Sequence, residues 1–276
     1  MTVVEISRGD STTKAVKVLK MKGDSSFVLK NYRRNVAKAI GEPGSIIRLF
    51  ANQPNILGFW ACKDGYRAGC RRIVGLDGCF LKGYYGGYLL ATVGIDANND
   101  IYPLAYAAVE SENQASWLWF LELLAIDLEI VSLYQISVMS DKQKGLLEVI
   151  CMLFPNAETR HCVRHLHANF KKIGFRIEEL KDLLWNAARA STTKDFQDAM
   201  DELKKTNQHA YDLLKEKNPT HWSRPHFSIR SHSDMLVNNL SESFNKMILE
   251  ARGKPILTMM ETIRTKIMLL IVKKKE

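Results

Sequence analysis

"RRIVGLDGCFLKGYYGGYLLATVGIDANNDIYPLAYAAVE", residues 71–110, reads as one strand after another. Its apolar runs, RRIVGLDGCFLKG, YLLATVGIDA and IYPLAYAAVE, are parted only by YYGG and NND. β-rich runs joined by short Gly/Asn turns predict an antiparallel meander. One residue sits badly in an apolar strand, and that is Asp77. Asp-Gly is a common turn dipeptide, so Asp77 and Gly78 could simply reverse the chain. YYGG and ANND are better reversal points, which leaves Asp77 inside the first strand and in need of a reason.

Downstream, SENQASWLWFLELLAIDLEI carries Trp117, Phe120, Leu121, Leu124 and Leu128 at helical spacing, with Ser111 or Ser116 as a cap. ISVMSD predicts a short buried strand ending at Asp141, KQKGLLEVICMLF a helix stopped by Pro155, and AETRHCVRHLH a fifth strand running into a helix. Residues 168–218 then turn to charge-laced helical patterns whose charges read as a solvated face. NPTHWSRPHFS is a loop, and VNNLSESFNKMILEA and KPILTMMETIRTKIMLLIV are two closing helices. Upstream, SSFVLKNYRRNVAKAI has helical spacing and carries Lys30, Arg33, Arg34 and Lys38, a solvated face or a contact for a nucleic-acid backbone. The expected division is a basic helical extension (1–70), the first part of a core (71–167), a helical insertion (168–235) and helices completing the core (236–276).

Bulk properties narrow the function classes. The 276 residues are 46% hydrophobic and 25% charged, an ordinary globular balance. Lys and Arg exceed Asp and Glu by 39 to 30, and the resulting net charge of +9 favours polyanionic partners, nucleic acid first. Five cysteines form no C-x-x-C pair and the first residues have no apolar core, which predicts reduced thiols in a nuclear or cytosolic compartment. The most apolar run, IMLLIV, is too short to span a bilayer, so no membrane partner is expected.

Three strands, a helix, a strand, a helix and a fifth strand form the order of a ribonuclease H-like α+β fold, here interrupted by an all-helical insertion. In such a sheet Asp77 on the first strand and Asp141 at the end of the fourth lie side by side. Adjacent carboxylates are costly unless a divalent cation neutralises them, which supplies the reason Asp77 lacked. A third acid would complete a two-metal site for phosphodiester chemistry. Glu242 in NNLSESFN is the candidate. By helical period Leu240, Phe244, Met247 and Ile248 share one face, while Asn238, Glu242, Asn245 and Leu249 share the opposite one. That polar stripe is either plain surface or the wall of a site.

The stretches GLDGCFLKGYYGGYLLATVGIDANNDIYPLAYAAVESENQASWLWFLELL, SDKQKGL, RHCVRHLHANF and MLVNNLSESFNKMILEARGKPILTMMETIR together resemble plant Mutator-like element (MULE) transposases. The resemblance covers roughly residues 20–270, with the motifs in the family's order. It implies a ribonuclease H-like core with an acidic triad that cuts and rejoins double-stranded DNA in the nucleus using Mg²⁺ or Mn²⁺, two ions about 4 Å apart. Position by position, Asp77 matches the first acid, Asp141 the second and Glu242 the third. The family's C-x-x-H element is matched by Cys162 and His165, which the resemblance sets near the active site, positioning DNA or the acids beside Asn238 and Asn245. A Cys and a His that merely pack at a strand end is the competing reading.

Two ligand types at C-x-x-H spacing are half a zinc site, and the other half would have to come from scattered residues such as His221, His226 or His232, so structural zinc is not expected. Trp185 and Trp222 read as core residues. The family's N-terminal DNA-binding region and C-terminal SWIM module have no counterpart in these residues, so DNA binding with little sequence preference is expected. Self-association into a homo-oligomer is left open. The alternative function is a domesticated, non-catalytic DNA-binding or transcription-regulating protein on the same fold.

Overall fold

The computed structural model describes residues 3–5, 45–50, 56–61, 63–83, 86–127, 136–141 and 143–273. The helix expected around Lys30, Arg33, Arg34 and Lys38 lies outside the described residues. The chain divides into two compact units: Met1–Cys70, Asp77–Ile130 and Leu240–Glu276 form one, and Arg71–Leu76 with Val131–Asn239 the other.

The first unit holds β1 (Val3–Glu5), β2 (Ser45–Phe50) and β3 (Ile56–Ala61), followed by the short helix α1 (Lys63–Gly69). Strand β4 (Cys70–Phe80) contributes its second half here, before β5 (Tyr88–Asp96) and β6 (Ile101–Val109). The pairing order β1-β2-β3-β6-β5 is antiparallel throughout. Strands β5 and β6 are buried on both faces over most of their length, which explains why they read as continuous apolar runs. Their register runs from Tyr88↔Val109 to Ile95↔Ile101 and shifts at Thr92/Val93, where Thr92 faces Ala105 and Val93 faces Pro103. Leu104 is the extra residue, and a bulge is where a proline without an N–H is tolerated in a ladder.

Leu81 N–H, just past β4, donates to Gly87 O at 2.8 Å, so the chain reverses beyond β4 and Asp77 lies within the strand. Helix α2 (Gln114–Asp127) buries Trp117, Phe120, Leu121 and Leu124, as its spacing predicts. Neither serine caps it: Asn113 Oδ1 accepts from Ser116 N–H at 2.9 Å, while Ser116 Oγ donates to Ser111 O.

In the second unit, residues 73–76 of β4 pair in parallel with β7 (Ser137–Ser140), and β7 pairs in parallel with β8 (Glu158–His161). Helix α3 (Lys144–Leu153) lies between β7 and β8 in sequence and buries Leu146, Val149 and Ile150. Antiparallel pairing in one unit and parallel pairing in the other make β4–β8 a set of mixed direction. Helices α4 (Val163–Ile173), α5 (Glu178–Arg189), α6 (Thr193–Thr206) and α7 (Gln208–Lys215) follow. They share an apolar core that includes Phe170, Leu184, Leu203 and Trp222, with Trp185 packed at its edge. Thr192 and Asp195 form a reciprocal capping box at the start of α6, both bonds 3.0 Å. Short 3₁₀ turns carry the chain through NPTHWSRPHFS. Helices α8 (Asn239–Met247) and α9 (Ile256–Lys273) belong to the first unit, apart from Asn239.

No described helix is long and apolar enough to cross a membrane. Cys70, Cys79, Cys151 and Cys162 are free thiols.

Candidate functional site

In the first unit, Asp77 is half-buried on β4, and its Oδ2 accepts a 2.7 Å hydrogen bond from Asn245 Nδ2. Asn245 lies on α8 three residues after Glu242, and positions three apart share a helix face. The face of α8 that carries Glu242 is therefore the one turned to Asp77. Leu240, Phe244 and Ile248 are buried on the opposite side, whereas Glu242 and Asn245 are half-buried. Glu242 and Asn245 thus share a half-buried side of α8, and one of the two binds Asp77. Leu249, grouped with them by period, is exposed.

Asn238 does not belong to the stripe. It precedes the helix, is 2% exposed, and its Nδ2 donates to Leu76 O at 3.1 Å. The helical period was extended one turn too far, because the backbone is not yet helical at that residue.

Two neighbours of Asp77 escaped the sequence reading. The Glu112 carboxylate lies over Gly78, where a side chain's first carbon would overlap it. Cys79 is buried, and burial pushes its thiol up to about 11, with nearby Asp77 and Glu112 adding to the rise and Arg252 opposing it. A thiol so far from ionisation is no nucleophile at neutral pH.

The other acids near the closing helices have different employment. Glu250 is largely exposed and pairs with Lys266 Nζ at 3.3 Å. Glu158 binds the fully buried Arg160 at 3.2 Å, accepts from Ser137 Oγ, and accepts from Ser228 N–H at 2.8 Å. Arg160 also donates to Ser233 O, Ser228 O and Ser231 Oγ, and its guanidinium lies 4.0 Å from the centre of the Phe227 ring. The Glu158–Arg160 pair therefore fixes the segment 227–233 against β8. Nothing in the pattern ETRH announces it.

In the second unit, three further candidates meet. The parallel register pairs Ser140 with His161, so the next residues, Asp141 and Cys162, leave the ladder together. Cys162 N–H still reaches Ser140 O at 3.4 Å. Cys162 then stands at the N-cap position of α4, without a side-chain cap bond, and His165 falls in the first turn. Asp141 Oδ1 stands 2.6 Å from His165 Nδ1, and one donor atom from each of Asp141, Cys162 and His165 lies within 4.8 Å of the others. Asp141 Oδ1 and His165 Nδ1 are both buried atoms, and despite their closeness neither makes an aligned hydrogen bond.

The Cys162 thiol accepts from Asn238 N–H at 3.4 Å. Burial pushes that thiol up, but the hydrogen bonds from His165 and from the Asn238 N–H outweigh it and hold the thiol below its ordinary value. The Asp141 carboxylate, then Cys162, raise the His165 imidazole to about 10. Two of the three histidines considered as a second half-site are engaged elsewhere. His221 Nδ1 contacts Thr159 O at 2.7 Å, and its ring stacks on His161. His226 packs edge-on to Phe196.

The two donor sets differ in kind. Asp77 with its amide partner Asn245 offers hard oxygen donors, which suit Mg²⁺ or Mn²⁺. Asp141 is set among nitrogen and sulfur, which suit a softer metal.

Residues 73–169 match the MULE transposase domain. The matched stretch includes Asp77, Asp141, Cys162 and His165, and ends before Glu242. The match supports a MULE-type transposase and, with it, a transposase-related function and DNA as a partner. No curated protein matches the chain significantly.

Proposed function

We propose that this chain is the ribonuclease H-like catalytic core of a MULE transposase, cleaving double-stranded DNA and joining the freed 3′ ends to a target strand in the nucleus. The observation that carries the reading is the Asn245–Asp77 hydrogen bond, which turns the Glu242 face of α8 toward the one acid that interrupts an apolar strand. The family match over 73–169 adds the transposase context, and it contains both Asp77 and Asp141.

In this reading Asp77, Asp141 and Glu242 hold Mg²⁺ or Mn²⁺. Bound there, such ions would lower the pKa of an attacking water or 3′-hydroxyl and neutralise the leaving oxygen. The chain's own part is positional. Asn245 fixes one oxygen of Asp77 and so holds the orientation of the carboxylate. Asn238 ties Leu76, within β4, to Cys162 through its side chain and its backbone N–H. Buried hydrogen bonds of this kind keep carboxylate-bearing segments in one orientation, as a metal site requires. Excess positive charge supplies sequence-independent attraction to phosphates, and binding is expected to weaken steeply with added salt.

The test is nicking of duplex DNA in Mn²⁺ or Mg²⁺ by the parent chain and by Asp77→Asn, Asp141→Asn and Glu242→Gln, with folding checked by circular dichroism. Cleavage by the parent that all three substitutions abolish supports the assignment. Cleavage that survives Glu242→Gln but neither Asp substitution removes Glu242 from the site. A folded parent that binds DNA without cutting it fits the domesticated, non-catalytic reading instead.

A further inference from the structure

A carboxylate oxygen, a thiol and an imidazole converge where β7, β8 and the start of α4 meet, and this meeting is set by the backbone. The Ser140↔His161 register delivers Asp141 and Cys162 together, and the helix that begins at Val163 brings His165 round to them. Three unlike donors within 4.8 Å are more than an acidic cluster or a lone cysteine. We propose that Asp141, Cys162 and His165 form a three-ligand site for a zinc-type transition-metal ion.

Four observations support the site. First, two of its donor atoms, Asp141 Oδ1 and His165 Nδ1, are buried without an aligned hydrogen bond although they stand 2.6 Å apart. Each is the other's ion-pair partner, and a cation bound between them would take the place of the imidazole proton. Second, the ligand set is selective. Mg²⁺ takes oxygen donors and gains little from sulfur, whereas tetrahedral Zn²⁺ commonly combines Cys, His and carboxylate. Third, the geometry is close to what an ion needs. With metal–ligand bonds of about 2.0–2.2 Å at tetrahedral angles, the oxygen and nitrogen would sit roughly 3.4 Å apart. The carboxylate and imidazole therefore need to part by roughly 0.8 Å, a side-chain adjustment. Fourth, the thiol already has an outer support: Asn238 N–H donates to Sγ, and the Asn238 side chain is anchored on Leu76 O. Ligands held from behind in this way are the ordinary construction of a metal centre.

Three protein ligands leave the fourth tetrahedral position open, which is the pattern of reactive rather than purely structural zinc. The site also gives Asp141 two duties. Its Oδ1 is buried toward His165, yet the side chain as a whole is 33% exposed, so the rest of the carboxylate faces outward. One oxygen serves the soft ion and the other is left for a hard cation. The inference stands apart from catalysis, because the site is defined by residues of one unit and its occupancy can be measured without DNA.

The experiment uses the full chain, stripped of metal under reducing conditions and titrated with Co²⁺ as a spectroscopic probe. The expected result is one Co²⁺ per chain, with a thiolate-to-cobalt charge-transfer band and tetrahedral d–d absorption, bleached by stoichiometric Zn²⁺ but not by a large excess of Mg²⁺. Cys162→Ser should abolish the charge-transfer band, and Cys151→Ser should leave it intact. Asp141→Asn and His165→Ala should each weaken binding at least roughly tenfold. His165→Cys, which restores a ligand, should bind better than His165→Ala, separating ligation from a folding defect. A band that survives Cys162→Ser, displacement of Zn²⁺ by Mg²⁺ at similar concentrations, or no tight Co²⁺ binding by the folded chain would overturn the proposal. A chain that holds Co²⁺ in this way but never cuts DNA would defeat the proposed function and leave the metal site standing.

Discussion

Asn245 reaches across 168 positions to donate its side-chain N–H to Asp77 Oδ2 at 2.7 Å. A hydrogen bond to a half-buried carboxylate is worth more than a neutral one, so Asn245→Ala should cost about 1–2 kcal/mol of stability. Asn245→Asp should be worse at neutral pH, since it sets two carboxylates against each other, and the penalty should shrink at acidic pH as the pair takes up a proton. Denaturant midpoints at both pH values, read at constant m-value, provide the check. An Asn245→Asp chain as stable as Asn245→Ala at neutral pH would mean the contact is not formed.

Arg160 is fully buried and holds Glu158, two backbone carbonyls and the Ser231 hydroxyl. Arg160→Met removes one member of a buried ion pair and strands the other, for an expected loss of about 3–5 kcal/mol. Arg160→Lys should not rescue it, because an ammonium cannot supply the same planar set of donors. Adding Glu158→Gln to Arg160→Met should cost less than the sum of the two single changes, since no uncompensated charge is left. Additive losses would show that the pair is not coupled.

These two clusters also show where sequence reading reaches its limit. Strands β4, β5 and β6 were legible because apolar runs alternate with strong turn dipeptides. The same turns kept Asp77 inside a strand, as found. Helix α8 was legible from its period, and so were the buried Leu240 and Phe244. Asn238 was misjudged because periodicity does not say where a helix starts. Cys162 and His165 were set near the acids only by the family resemblance, because the parallel register that puts Asp141 beside Cys162 joins residues 21 positions apart and leaves no spacing signature. Arg160 sits in a four-residue strand too short to show alternation. Strands β2 and β3 form from SIIRLF and ILGFWA, two runs of strand length inside the stretch expected to be a basic helical extension.

Gly87 and Gly78 should respond differently to alanine. Gly87 has φ +92°, and a first side-chain carbon there would stand 2.7 Å from Val109 O, a backbone atom of the neighbouring strand. Gly78 would press only on the end of the Glu112 side chain. Backbone strain with a fixed obstacle costs about 1–3 kcal/mol, whereas a flexible carboxylate can swing aside. Thermal unfolding should therefore rank Gly87→Ala well below Gly78→Ala. The reverse order would mean that Glu112 is held more rigidly than its side-chain chemistry suggests.

His165 gives the pH dependence its sign. In the metal-free chain the Asp141 carboxylate, and then Cys162, raise its imidazole from 6.5 to about 10, with burial opposing them. The folded value lies above the unfolded one, so the protonated His165 contributes stability that is fully present below about pH 6.5 and is lost as pH rises towards 10. Its side chain is 45% exposed, so solvent screening reduces the size of the contribution without changing its direction. An NMR titration should show the His165 ring still protonated at neutral pH. His167, pulled down by burial and then by Lys171 and Lys181, should titrate below 6.5 in the same spectra. Asp141→Asn should bring the His165 midpoint down toward 6.5 while leaving His167 where it was. A His165 ring that titrates at or below 6.5 in the parent chain would show that the 2.6 Å approach to Asp141 does not persist in solution.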